Sequence, residues 1–431
     1  MENSLKHNLT IVVIGGGAAG FFGAITCATT IPEVKVTVIE ASRKLLTKVL
    51  ISGGGRCNVT HHCFDAAQLV QHYPRGGKAL RGAFTHFQPQ DTVNWFESRG
   101  VKLKTEADGR MFPVTDNSQT IADCLLHTAT QAGVRIITGS PVVAVRKVNL
   151  PPQTPPYQGG EEVSNLKQGF EVELKTGEVI KGDRLLIATG SNPIGYRLAK
   201  NLGHKIESPV PSLFTFNLTD SRLENLAGIT VENASIRLLT TGKNKLEQTG
   251  PLLITHWGLS GPAVLKLSAW GARILQENNY QMPLIINWLP EYNTETLRQY
   301  LLTVKTEMGK KRIATYSPFN LPRRLWQHLV SFVGINEEKI WAELSKQAVN
   351  KLVEELTQGR YQIQGKGVFK EEFVTCGGVS LKEVNFKTME SKICPGVYFA
   401  GEILDIDGVT GGFNFQSAWT TSWLAGKAMV N

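Results

Sequence analysis

Residues 9 to 20, LTIVVIGGGAAG, open with an unbroken apolar run and end in glycines. Such a run predicts a buried strand. FFGAITCATT follows with apolar residues at helical spacing, and KVTVIE predicts a second strand ending at Glu40. Residues 65 to 100 are more polar and partly helical; ADCLLHTATQAGVRIITG then reads as a helix and a strand entering SPVVAVRKV. GFEVELKTGEVIKGDRLLIATGS alternates like a meander and finishes in an apolar strand with Ala188, Thr189 and Gly190 at its end. Before it, the Pro/Gly-rich LPPQTPPYQGGEEVSNLKQ predicts a mobile hairpin loop.

From about residue 208 the texture changes to short alternating strands such as LFTFNL, ASIRLL and QMPLIINWL. Residues 291 to 357 turn helical and basic, and strand character returns around RYQIQGKGVFKEEFVT. The chain closes with an apolar strand, then Gly401-Glu402-Ile403-Leu404-Asp405, a Gly411-Gly412 turn and a final helix.

The first strand, turn, helix and strand carry chemistry. Gly15, Gly17 and Gly20 have GxGxxG spacing, and Glu40 lies twenty residues after the last glycine. Gly15 permits a sharp turn, Gly17 lets backbone touch a pyrophosphate, and Gly20 allows close helix–strand packing. The helix N-terminus faces the phosphates, and the acid accepts hydrogen bonds from a ribose. The pattern predicts a dinucleotide site. Further glycines at 53–55, 189–190 and 411–412 favour FAD over NAD, because they are spread widely enough to line a long extended cofactor. There is no second GxGxxG.

Composition narrows the class without changing it. At 431 residues, 42% hydrophobic and 19% charged, the chain has room for two or three domains with a large core. No stretch reaches the roughly 18 to 20 apolar residues that span a bilayer, and MENSLKHNLT lacks a secretory layout, so a cytoplasmic location is expected. The six cysteines form no CxxC pair; Cys57 and Cys63 flank His61 and His62, but the second half of a zinc site is missing, and no metal or disulfide is expected. The net charge of +9 permits anionic partners.

IGGGAAG, KVLISGGGRCNVT, THWGLSGPAVLKLSA, VTCGGVSL and AGEILDIDGVTGGFNFQSAWTTSWLAG together resemble the BaiN/RdsA family of NAD(P)H- and FAD-dependent oxidoreductases, in the same order over essentially the whole chain. The resemblance implies an α/β fold, with a discontinuous Rossmann-like FAD-binding domain at 1–207 and 372–431. It implies an inserted β-barrel domain at 208–290 and 358–371 carrying a helical subdomain at 291–357. It puts Gly15, Gly17, Ala19 and Gly20 around the pyrophosphate, Glu40 on the adenosine ribose and Val142 at the adenine. Glu402, Asn414 and Phe415 fall near the ribityl chain and isoalloxazine. Ala18, Ala41, Lys48, Asn58, Thr189, Gly190, Gly401, Asp405 and Gly412 complete the expected cofactor-binding set. Gly53, Gly54 and Gly55 are expected to lie against the flavin with Arg56 nearby, the alternative for Arg56 being a structural ion pair. Cys57 is the candidate acid beside the flavin, its alternative a buried thiol packed under the loop. Two departures stand out. The family's usual Gly-Arg-Lys reads Leu46-Thr47-Lys48, and SNPIGYRLA follows Gly190 where another glycine-rich loop belongs.

Such a family implies hydride chemistry, with NAD(P)H as transient electron donor. The leading expectation is reduction of uridine to dihydrouridine in large-subunit ribosomal RNA. A small-molecule flavin reductase or amine oxidase, and a non-catalytic flavin-bearing RNA-binding or redox-sensing protein, are the alternatives. Hydride delivery to C6 of the pyrimidine and a proton to C5 would complete the reduction. HYPRGGKALRGAF interleaves Arg75, Lys78 and Arg81 with Tyr73 and Phe84, a mixture suited to phosphates and stacked bases. Lys305, Lys310, Lys311, Arg312, Arg323 and Arg324 form a second basic stretch. A solvated helix face is the alternative for both. His256 and Asp405 are secondary proton-donor candidates.

Overall fold

The computed structural model describes residues 9–150, 167–240, 245–367 and 374–431. The expected hairpin loop around 151–166 lies outside them. The chain divides into two compact units, one of Met1–Pro209 with Val374–Asn431, the other of Val210–Phe373.

The first unit is built on the apolar strand β1 (Thr10–Ile14), which lies in the interior of a seven-stranded sheet. A glycine turn leads into helix α1 (Ala18–Thr30), and the chain returns as β2 (Lys35–Ile39), parallel to β1. Arg184–Ile187, Val397–Phe399 and Arg135–Ile137 extend the parallel array. An antiparallel ribbon of Val384–Asn385 and Glu390–Ser391 finishes one edge. In register, Ile14 sits beside Ile39 and Ile187, Ile39 beside Ile137, and Ile187 beside Phe399. Five strands therefore end along one line, and the segments that follow them meet there. Open α/β sheets bind ligands outside the carboxyl ends of their strands. The final helix, Phe413–Val430, is buried along most of its length and packs on α1, where Cys27 Sγ donates to Gly426 O.

In the second unit, an antiparallel sheet runs in the order Gly359–Ile363, Met282–Asn287, Thr230–Leu238, Leu246–Thr255, Gly258–Ser260, Phe216–Asn217 and Gly365–Lys366. The adjacent segments 359–363 and 365–366 occupy opposite edges, but no ladder joins them to each other. The expected β-barrel is met only in the coarser form of a seven-stranded sheet. Helices Thr294–Glu307, Arg323–Phe332 and Lys346–Gln358 share one core with it, holding buried Trp288, Trp326 and Trp341.

One buried ionic cluster organises that unit. Arg222, 5% exposed, donates from Nη1 to both oxygens of Glu355 at 2.9 and 3.0 Å, forks onto Asp220 through Nε and Nη2, and lies 3.6 Å over the Tyr361 ring. Arg222→Met would leave the Glu355 carboxylate buried opposite only the Tyr361 hydroxyl. A loss of about 3–5 kcal/mol is expected, because a broken buried pair leaves an uncompensated charge. Urea unfolding of the variant measures it.

Candidate functional site at the carboxyl edge of the parallel sheet

At the end of β1 the backbone turns at Gly15 with φ of +114°, a left-handed value that favours glycine, and its N–H donates to Ile39 O. A Cβ here would lie 2.4 Å from Ala188 O, so the turn is wedged against the neighbouring strand end. At Gly17, by contrast, a Cβ would meet nothing within 4 Å. No side chain caps α1, and no acid stands in its first turn. The helix therefore presents its positive end to open space, an arrangement that accepts a pyrophosphate.

Glu40 closes the turn after β2. One carboxylate oxygen accepts the Gly16 N–H at 2.7 Å and the other accepts the Ser42 N–H at 2.8 Å. Each oxygen has a second lone-pair direction for a ribose hydroxyl. The Glu40 carbonyl takes the Ser140 N–H, which brings the chain leading into Val142 beside this turn. Ala41 is exposed immediately after Glu40.

The departure at Leu46-Thr47-Lys48 has a structural consequence. Leu46 is left-handed, with φ of 54°, and buries its side chain while donating its N–H to Gly16 O. A glycine would adopt that backbone without strain; here the buried side chain offsets the strain. Lys48 reaches Glu402 and Ser191 Oγ. The other Glu402 oxygen accepts the Thr375 N–H at 3.0 Å. Four separate segments thus meet at Glu402. Beside them Thr189 Oγ1 is buried without a hydrogen-bond partner. The other departure, SNPIGYRLA, forms a capped helix start: Asn192 Oδ1 accepts the Ile194 N–H, and Pro193 opens the helix Pro193–Asn201. Ser191 and Thr375, in ATGS and VTCGG, join this cluster although no local pattern marks either residue for it.

The glycine run lies at the end of a helix that starts at Thr47 and loses helical geometry at Ser52. Gly53, Gly54 and Gly55 are all left-handed, at 57°, 69° and 82°. A Cβ on Gly53 would press on Asn58 N and Phe112, whereas Gly54 and Gly55 face nothing within 4 Å. The exposed backbone of 54 and 55 can lie flat against a planar ring. The N–H groups of Arg56 and Cys57 both go to Ser52 O. Asn58 ties this loop to the final helix: its amide, oriented to satisfy both neighbours, donates to Thr60 O and accepts the Gly412 N–H.

Three of the expected site residues spend their side chains within the scaffold. Arg56 pairs with Glu106 at 2.6 Å and stacks 4.0 Å over Phe112, which is the structural ion pair. Asn414 spends both ends of its amide on Gly408, donating to its carbonyl and accepting its N–H. Cys57 is fully buried, and burial pushes its thiol up to about 12. A thiol sealed under the loop touches no substrate, so the proton-donor role does not follow. In the native protein at pH 8, Cys57 is expected to resist iodoacetamide while half-exposed Cys63 reacts, as peptide mapping would show.

Cys27 is likewise pushed up to about 12 from an ordinary 9.0. Both thiols hold protons more tightly folded than unfolded. Their stabilisation is intact below the unfolded value and is lost as the pH climbs from about 9 toward 12. The melting temperature is expected to fall across that window, and less steeply in a C27A/C57A variant.

The first basic stretch also differs from expectation. Tyr73 and Phe84 are core residues, and Arg75 forks onto buried Asp407, which leaves Lys78 and Arg81 exposed. Apolar residues around them drew those side chains inward. In the second stretch Arg312 pairs with Glu338, Lys305 donates to Leu344 O, Arg324 to Asn225 O, and Lys311 lies over Tyr316. Lys310 and Arg323 are exposed. Phe415 stacks on Trp419, Gly401 packs on Ala19, and half-buried Asp405 donates its N–H to Val379 O. His256 is exposed in the second unit, on the turn before Gly258–Ser260. Among the described residues no helix is long and apolar enough to cross a membrane.

Comparison with known proteins agrees with this layout. The family model for the HI0933-like protein Rossmann domain matches residues 9–428. The ribosomal RNA dihydrouridine synthase of Haemophilus influenzae is 30% identical, over 96% of each chain. The Escherichia coli protein of the same name is 29% identical over 97% of each. A 3-dehydro-bile acid delta(4,6)-reductase of Clostridium scindens is 28% identical, covering 97% of this chain and 98% of the relative.

Proposed function

The chain belongs to the HI0933-like family and is a FAD-dependent oxidoreductase using NAD(P)H; on that premise we propose that it reduces the C5–C6 double bond of a uridine in large-subunit ribosomal RNA. The observation that carries the proposal is full-length similarity to two ribosomal RNA dihydrouridine synthases. The net charge of +9 and the exposed Lys78, Arg81, Lys310 and Arg323 support a polyanionic substrate.

When bound, FAD supplies the hydride. The chain's residues bind and orient. The open N-terminus of α1 and the Gly17 backbone would take the pyrophosphate, and Glu40 the adenosine ribose. Lys48 and Glu402 stand where the strand ends meet and would flank the ribityl chain. Gly54 and Gly55 would lie along the ring system. The N-terminus of the 18-residue final helix, with only its Gly412 N–H taken by Asn58, would offer positive potential for charge gathered on a reduced ring. With Cys57 sealed, protonation of C5 falls to another group or to water.

A second reading, reduction of a conjugated small-molecule enone, is favoured by the bile-acid reductase relative. Both readings share hydride addition to a double bond conjugated with a carbonyl. Nucleoside mass spectrometry of large-subunit ribosomal RNA from a deletion strain separates them. Loss of one dihydrouridine, restored by the gene, is expected; an unchanged dihydrouridine content would refute the RNA reading.

A further inference from the structure

Residues 404–412 link Glu402 to the N-terminus of the final helix, and so run between two parts of the proposed cofactor site. They have little regular structure of their own: a single bridge pairs Val379 with Leu404, and another pairs Arg75 with Asp407. Asn414, Asn58 and Val379 tie Gly408, Gly412 and Asp405, and the segment His72–Gly77 holds the stretch between from the other side. Val409 N–H donates to His72 O at 2.9 Å, and Tyr73 Oη donates to Phe413 O at 2.6 Å. The His72 ring stacks on Phe413 at 4.2 Å and 10°. At the centre Arg75 presents Nε and a terminal nitrogen to the two oxygens of Asp407. Asp407 is 0% exposed and Arg75 16%. Burial opposes the charge on Arg75, while Asp407, Cys376 and Asp405 favour it.

A buried ion pair contributes little net stability against an apolar pair of the same volume, because desolvation offsets the attraction. What it does fix is geometry, since a planar guanidinium accepts a carboxylate in one orientation. We propose that Arg75 is a positioning residue for the cofactor: through Asp407 it sets the conformation of residues 405–412, and thereby the affinity and reduction potential of bound FAD. This rests on the FAD site described above. Arg75 acts through the loop and does not itself react.

The test compares the wild-type holoenzyme with R75M/D407L, which restores apolar packing without the fork, and with R75K, which keeps the cation without it. FAD dissociation constants come from fluorescence titration of apoprotein, and potentials from dye-coupled reductive titration. Both variants are expected to bind oxidised FAD at least tenfold more weakly. A tenfold difference between oxidised and reduced FAD in this loss would read as about 30 mV in the two-electron potential. Wild-type affinity and potential in R75K and in folded R75M/D407L would overturn the proposal. So would a fall in melting temperature equal in apoprotein and holoprotein with both flavin properties unchanged. Failure of the FAD reading is distinct: the wild-type protein itself would then bind no FAD.

Discussion

Gly20→Ala protein is expected to purify without yellow colour, with FAD occupancy below about a tenth of wild type. A Cβ on Gly20 would stand 1.8 Å from Gly15 O and 3.0 Å from Gly15 C. The opposing atoms are backbone, so no rotamer change relieves the contact. The first turn of α1 must move off the β1 turn, and with it the N–H groups aimed at the pyrophosphate. Overpacking of this kind costs about 1–3 kcal/mol where neighbours can yield, and more where they cannot. Gly17→Ala is the control: Gly17 has φ of −94° and open space at its Cβ. Its apoprotein should melt like wild type, yet its FAD affinity should fall at least tenfold because the methyl group enters ligand space. The absorbance ratio at 450 and 280 nm, with a melting curve, checks both. A yellow, fully occupied G20A would show that the close packing of α1 on β1 is dispensable.

Glu40→Ala should weaken FAD binding about a hundredfold, equivalent to about 2.7 kcal/mol. The carboxylate holds the Gly16 and Ser42 N–H groups, one oxygen each, and so shapes the pyrophosphate turn as well as the ribose contact. Hydrogen bonds to charged groups contribute about 1.5–3 kcal/mol apiece, so the apoprotein should also lose stability. Glu40→Gln keeps one acceptor and should fall between the two. Titration of deflavinated protein with FAD, and separately with FMN, measures the effect. FMN lacks the adenosine, so its affinity should change less than that of FAD; equal losses would place Glu40 away from the adenosine.

The glycine turn and its acid at the sheet edge were legible because their rules are local. Gly15, Gly17, Gly20 and Glu40 lie within one strand–turn–helix–strand unit, where spacing alone puts them at one sheet edge. The glycine run at 53–55 was equally readable, since three successive left-handed residues admit little else. Less legible was where charged and sulfur side chains would point. Arg56, Arg75 and Cys57 sit beside the expected motifs, yet their partners, Glu106, Asp407 and Ser52, are 50, 332 and 5 positions away. For the first two, nothing in the local pattern announces the partner.

The chain's own sequence determined a parallel sheet with a dinucleotide-binding turn, because hydrophobic period and glycine spacing act over a few residues at a time. Tertiary structure decided which polar groups are spent on the scaffold and which stay open at the strand ends. Burial and ion pairing depend on segments hundreds of residues apart meeting at one strand edge, and a buried charge takes whichever partner the packing brings within reach.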